Sequence, residues 1–82
     1  MDIKTDQGEV LTYQGEKVAV YKDASGTVIA VSAVCPHQGC LVKWNRSDKT
    51  WDCPCHRSRF DKEGKVINGP AVTNLPKIEI DN

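Results

Sequence analysis

All four cysteines and both histidines of this 82-residue chain fall in two short stretches. The first is Cys35-Pro36-His37-Gln38-Gly39-Cys40, and the second is Cys53-Pro54-Cys55-His56-Arg57-Ser58. Scattered residues would not gather in this way, so any fold must carry the two stretches as a pair of loops with a shared task. Thiolates are soft donors that suit zinc and iron–sulfur clusters, and neutral imidazole suits zinc, copper and iron. Two loops whose tips meet, each offering a cysteine and a histidine, would supply a mixed sulfur and nitrogen donor set. The even cysteine count also admits two structural disulfides, and a Cys₂His₂ zinc site is a third reading.

Size favours some such staple. A chain this short buries only roughly 60% of the surface its unfolded form exposes, and below about 80 residues a core seldom suffices alone. With 39% hydrophobic residues and five aromatics, little is available for packing. Eleven Lys and Arg balance eleven Asp and Glu, which leaves no electrostatic case for nucleic acid or an anionic membrane. No apolar run approaches the ~20 residues of a membrane span. The polar start, Met1 to Asp6, lacks the pattern of a secretory signal. The expectation is a single domain over 1–82, soluble and cytoplasmic, either free or part of a larger chain.

Turn chemistry punctuates the rest. Val10 to Tyr13, Gln14-Gly15, then Glu16 to Tyr21 predict a β-hairpin. Asp23-Ala24-Ser25-Gly26 is a second turn. It leads into Thr27 to Val34, charge-free and rich in β-branched residues, which predicts a central strand buried on both sides. Trp44 and Trp51 flank the polar turn Asn45 to Lys49 and predict a second hairpin with an aromatic cross-strand pair. Phe60, a turn at Asp61 to Gly64, a short strand at Lys65 to Ile67 and a last strand at Leu75 to Ile80 complete the pattern. Nothing sustains a helical period. The expected class is all-β, an antiparallel sandwich or barrel.

Cys-x-His, fifteen intervening residues and then Cys-x-x-His resembles the signature of the Rieske [2Fe–2S] domain. The resemblance implies that Cys35, His37, Cys53 and His56 ligate a [2Fe–2S] cluster, with the cysteines on one iron and the histidines on the outer one. It implies an antiparallel β-sandwich with a small cluster-binding subdomain. It also implies a disulfide between Cys40 and Cys55, as in the cytochrome bc and bf branch, and a covering proline loop at Gly69-Pro70-Ala71. The bc-type pattern after the second histidine is Gly-Ser-x-Tyr, whereas this chain has Arg57-Ser58-Arg59-Phe60. Ser58 retains a hydroxyl suited to a bridging sulfide, but Phe60 lacks the phenol that would donate to a cysteine sulfur. Hydrogen bonds to sulfur favour the reduced cluster, so the expected potential lies below that of bc-type proteins.

The function implied is one-electron transfer, with a flavoprotein or other redox protein as partner. The stretch from Trp51 to Asp61 is also similar to the C-terminal Rieske domain of bacterial flavin-dependent oxidoreductases. No acid–base or nucleophile set exists outside the ligands, so no catalytic residues are expected. Arg57 and Arg59, beside His56, are candidates for raising the potential or meeting an acidic partner. A redox-silent domain stabilised by its metal is the contrasting possibility.

Overall fold

The computed structural model describes residues 3–35, 39–55, 57–69 and 73–80. Its strands are β1 (Gln7–Tyr13), β2 (Glu16–Lys22), β3 (Val28–Ser32), β4 (Lys43–Asn45), β5 (Thr50–Asp52), β6 (Arg59–Phe60) and β7 (Val66–Asn68). They form two antiparallel sheets, one ordered β1-β2-β3 and the other β4-β5-β6-β7. The all-β expectation holds.

The first hairpin forms where predicted. Tyr13 pairs with Glu16, leaving a two-residue turn in which Gln14 (φ 50°) and Gly15 (φ 82°) are both left-handed. That is the turn whose twist matches a β-ribbon, and glycine adopts it without steric penalty. β1 starts earlier than expected, at Gln7.

The central strand is not the one predicted. β3 lies at the outer position of its sheet, and only Ala30 and Val31 within it are buried. β2 is central instead, with Val18, Ala19, Val20 and Tyr21 at most 2% exposed. Alternation sends successive side chains to opposite faces. Ala19 and Tyr21 join a core with Val31, Ala33, Val42, Trp51, Phe60 and Leu75. Val18 and Val20 join a second core with Ile3 and Ala30. The apolar run through β3 thus predicted neither its burial nor its place in the sheet, and β2's short apolar centre is hidden between charged ends.

The predicted last strand is reduced to a strap. The Ser32 amide donates to the Pro76 carbonyl at 2.7 Å, and the Ile78 amide to the Ala30 carbonyl at 2.9 Å. The Val31–Lys77 bridge is isolated. Pro76 has no N–H, which breaks the ladder. The strap nonetheless covers the outer edge of β3.

β4 and β5 form the predicted hairpin. Trp44 faces Trp51, with ring centroids 4.9 Å apart, and Tyr21 lies 5.4 Å from Trp44. The absence of a side chain at Gly8 lets β1 lie on this pair. A Cβ there would fall 2.7 Å from Trp44 Cδ2 and 2.9 Å from Trp51 Cη2. Gly8→Ala is therefore expected to destabilise the domain by about 1–3 kcal/mol, as overpacking does. Urea unfolding measures this, and an unchanged midpoint would mean the indoles have room to yield.

Asp6 ties the N-terminal segment to both sheets. Its carboxylate accepts from the Tyr21 hydroxyl and pairs with Lys49 at 3.2 Å, while its carbonyl accepts from Lys49 Nζ at 2.9 Å. The Tyr21 and Lys49 hydrogen bonds hold the Asp6 carboxyl below its usual range. Burial of the ring, then the bond to Asp6, push the Tyr21 phenol from 10.0 up to about 12. A raised phenol contributes stability that is complete below pH 10.0 and is lost as pH climbs through about 12. Tyr21→Phe should flatten that alkaline limb in pH-dependent unfolding, and an unaltered limb would place its origin elsewhere.

Candidate metal centre

The two Cys/His stretches become loops at the ends of antiparallel ribbons. In loop 1 the Val42 amide donates to the Ala33 carbonyl at 2.8 Å, Val34 bridges Leu41, and the Cys35 amide donates to the Cys40 carbonyl at 2.7 Å. Loop 2 caps the β5–β6 pair. There the Cys53 amide donates to the Ser58 carbonyl at 2.8 Å. In each loop the residue four beyond the first cysteine donates its amide back to that cysteine's carbonyl. Gly39 does so to Cys35 at 2.8 Å and Arg57 to Cys53 at 3.0 Å. Both residues are left-handed, with φ of 75° and 60°. The loops are thus repeats of one backbone design, with equal spacing from Cys35 to Gly39 and from Cys53 to Arg57. That correspondence was readable once the loops were aligned on their first cysteines, but sequence reasoning did not draw it.

A disulfide joins Cys40 to Cys55, with Cα atoms 6.4 Å apart. Cys35 and Cys53 remain free thiols, 1% and 2% exposed, in the same core. The structure thus joins one pair of cysteines and leaves the other pair as thiols. Each loop presents one buried thiol, and the disulfide holds the loops side by side. Such thiols are chemically suited to ligate a soft metal centre. His37, His56 and Pro70 lie outside the described residues, and no group of three metal-binding side chains assembles from the described residues alone.

Behind the loops the packing is tight. Ser58 and Phe60 are fully buried, and Phe60 pairs with Trp51 in the cysteines' core. Gly69 (φ 112°), immediately after β7, brings a third segment against loop 2. A Cβ there would lie 2.3 Å from Ser58 Cα and 2.8 Å from Ser58 Oγ.

The two arginines separate. Arg59 is committed to structure, with Nη2 2.7 Å from Asp48 and Nε 3.3 Å from Asp52. Asp52 also accepts from Asn45 at 2.9 Å and Thr50 at 2.6 Å. Arg57 is exposed.

A family model for the Rieske [2Fe-2S] domain matches residues 1–79. The chain belongs to the Rieske family. It is 42% identical over 80 residues to the Rieske 2Fe-2S iron-sulfur protein YhfW of Bacillus subtilis, covering 98% of this chain and 16% of that protein. It is 34% identical over 79 residues to the cytochrome b6-f complex iron-sulfur subunit of Chlorobaculum tepidum, covering 96% and 43%. Among solved structures, the plasma membrane Rieske protein PetC3 of Synechocystis PCC 6803 superimposes with a TM-score of 0.77 at 35% identity, over 85% of this chain and 72% of that one. The chain therefore spans less than half the length of both curated relatives.

The cofactor of this Rieske domain is a [2Fe–2S] cluster, which serves one-electron transfer. No helix among the described residues is long and apolar enough to cross a membrane.

Proposed function

We propose that Cys35, His37, Cys53 and His56 hold the cluster, and that residues 1–82 form the electron-transfer domain of a larger cytoplasmic oxidoreductase, flavin-dependent or otherwise. The carrying observation is the pair of free buried thiols, one on each of two loops locked together by Cys40–Cys55. In a Rieske centre two thiolates serve one iron and two imidazoles the other. Cys35 and Cys53 are the thiols left for the first role, and His37 and His56 are the only histidines for the second. The zinc reading has the same donors but no redox couple.

The electron paramagnetic resonance spectrum of the dithionite-reduced protein tests the reading. A low average g value in a red-brown protein is expected, with loss of colour in Cys35→Ser and Cys53→Ser. A colourless, silent protein overturns it. The larger oxidoreductase is supported by the match to YhfW, most of which lies beyond the matched region. Flavin co-purifying with the protein from its native host would support the flavin-dependent form, whereas a flavin-free redox complex would favour another partner.

Ser58 and Phe60 are proposed to set the potential, with Gly69 and Pro70 covering the site. Phe60→Tyr restores a phenol and is expected to raise the midpoint. One neutral hydrogen bond contributes about 1 kcal/mol, so voltammetry should register a rise of tens of millivolts. An unmoved midpoint would mean the phenol does not reach sulfur.

A further inference from the structure

The repeat between the loops isolates Arg57. Its backbone task, an amide returned to the first cysteine's carbonyl at positive φ, is done in loop 1 by Gly39. Glycine takes that conformation freely, while any L-residue brings its Cβ too near the following carbonyl. Loop geometry therefore favours glycine at both positions, and the arginine in loop 2 is held against a local steric penalty. Nor does its side chain stabilise the fold by pairing. It is exposed, and among the described residues no side-chain hydrogen bond or ion pair engages it. Arg59, two positions on, is bound to Asp48 and Asp52. Asp52 shares a surface depression of about 300 Å³ with Cys53, Pro54, Arg57 and Arg59. Its oxygens already receive Arg59, Asn45 and Thr50.

We propose that Arg57 is a docking residue, a free cation on the rim of loop 2 that receives an acidic surface of the protein's redox partner. This rests on the cluster reading above and deepens it. The chain's formal net charge is zero, so it exerts no strong overall field. An approaching partner then responds to the local charge beside the loop.

Small complexes of opposite charge probe this directly. Reduced protein is mixed with hexacyanoferrate(III), an anion, or with tris(phenanthroline)cobalt(III), a cation. In each case one electron passes from the protein to the complex, and no bond forms or breaks. The hexacyanoferrate rate is expected to fall about tenfold from low to high salt, while the cobalt rate does not fall. Arg57→Asn and Arg57→Gly should flatten the hexacyanoferrate salt dependence, and Arg57→Lys should keep it. Arg57→Gly should also raise the melting midpoint by about 4–8 °C, the gain from relieving a left-handed side chain in a domain this size.

A change in driving force would move both probe rates in the same direction, whereas loss of docking charge moves them oppositely. A salt-insensitive hexacyanoferrate rate in the parent, or an unaltered one in Arg57→Asn, overturns the proposal. So does an Arg57→Gly protein that melts no higher than its parent. Failure of the cluster reading would already show as a missing spectrum.

Discussion

The Cys40→Ser, Cys55→Ser double variant is expected to lose about 3 kcal/mol of stability, the chain-entropy value for a link across fifteen residues. Domains of this size are stable by about 4–12 kcal/mol in all, so a quarter or more of the total would go. The melting midpoint should fall by more than about 10 °C. Among the described residues no backbone hydrogen bond joins one loop to the other. Loop 1 closes on itself through Cys35 and Cys40, and loop 2 through Cys53 and Ser58. Cut apart, each would keep its own turn while their relative placement relaxed. The visible spectrum should therefore fade at lower temperature than in the parent, with thiol donors still present. Coincident melting of parent and variant, followed by calorimetry, would show that the shared core alone aligns the loops.

Gly69→Ala should be comparably severe for a different reason. A methyl group there meets Ser58 Cα at 2.3 Å, and backbone cannot swing aside as the end of a long side chain can. The φ of 112° is itself foreign to an L-residue. Overpacking of about 1–3 kcal/mol adds to a left-handed penalty of about 1–2 kcal/mol. Either the third segment lifts away from loop 2 or Ser58 moves with it. Because Ser58 accepts the Cys53 amide, the second route reaches a buried thiol. Guanidinium unfolding should show the loss, and a shifted visible spectrum would identify the second route. A variant as stable as the parent would show that the segment separates freely from loop 2.

Legibility in the sequence followed the range of the interaction. Gln14-Gly15 is a local signal and marked its turn correctly. Trp44 and Trp51 sit symmetrically about a polar turn and met as expected. The clustered cysteines and histidines pointed to a metal centre by type and spacing, while the [2Fe–2S] ligand set and the Cys40–Cys55 bridge came from the family resemblance. What escaped depended on partners distant along the chain. Thr27 to Val34 looks central because it is apolar, but sheet order is decided by which strands pair, and β2 pairs on both sides. Leu75 to Ile80 alternates like a strand, yet Pro76 and a single bridge leave it a strap. Gly8 is unremarkable until two indoles arrive from residues 44 and 51. The two arginines look alike until Asp48 and Asp52 take one of them.

β2 also sets how freely this domain can vary over evolutionary time. Ala19 and Tyr21 face the compartment that contains Cys35 and Cys53, while Val18 and Val20 face the other. Drift on the second side, among Ile3, Val18, Val20 and Ala30, changes how firmly the domain holds together without touching the thiols' neighbours. Drift on the first side perturbs both properties together. One face of β2 thus bears on stability alone, while the other carries stability and the thiols' surroundings together.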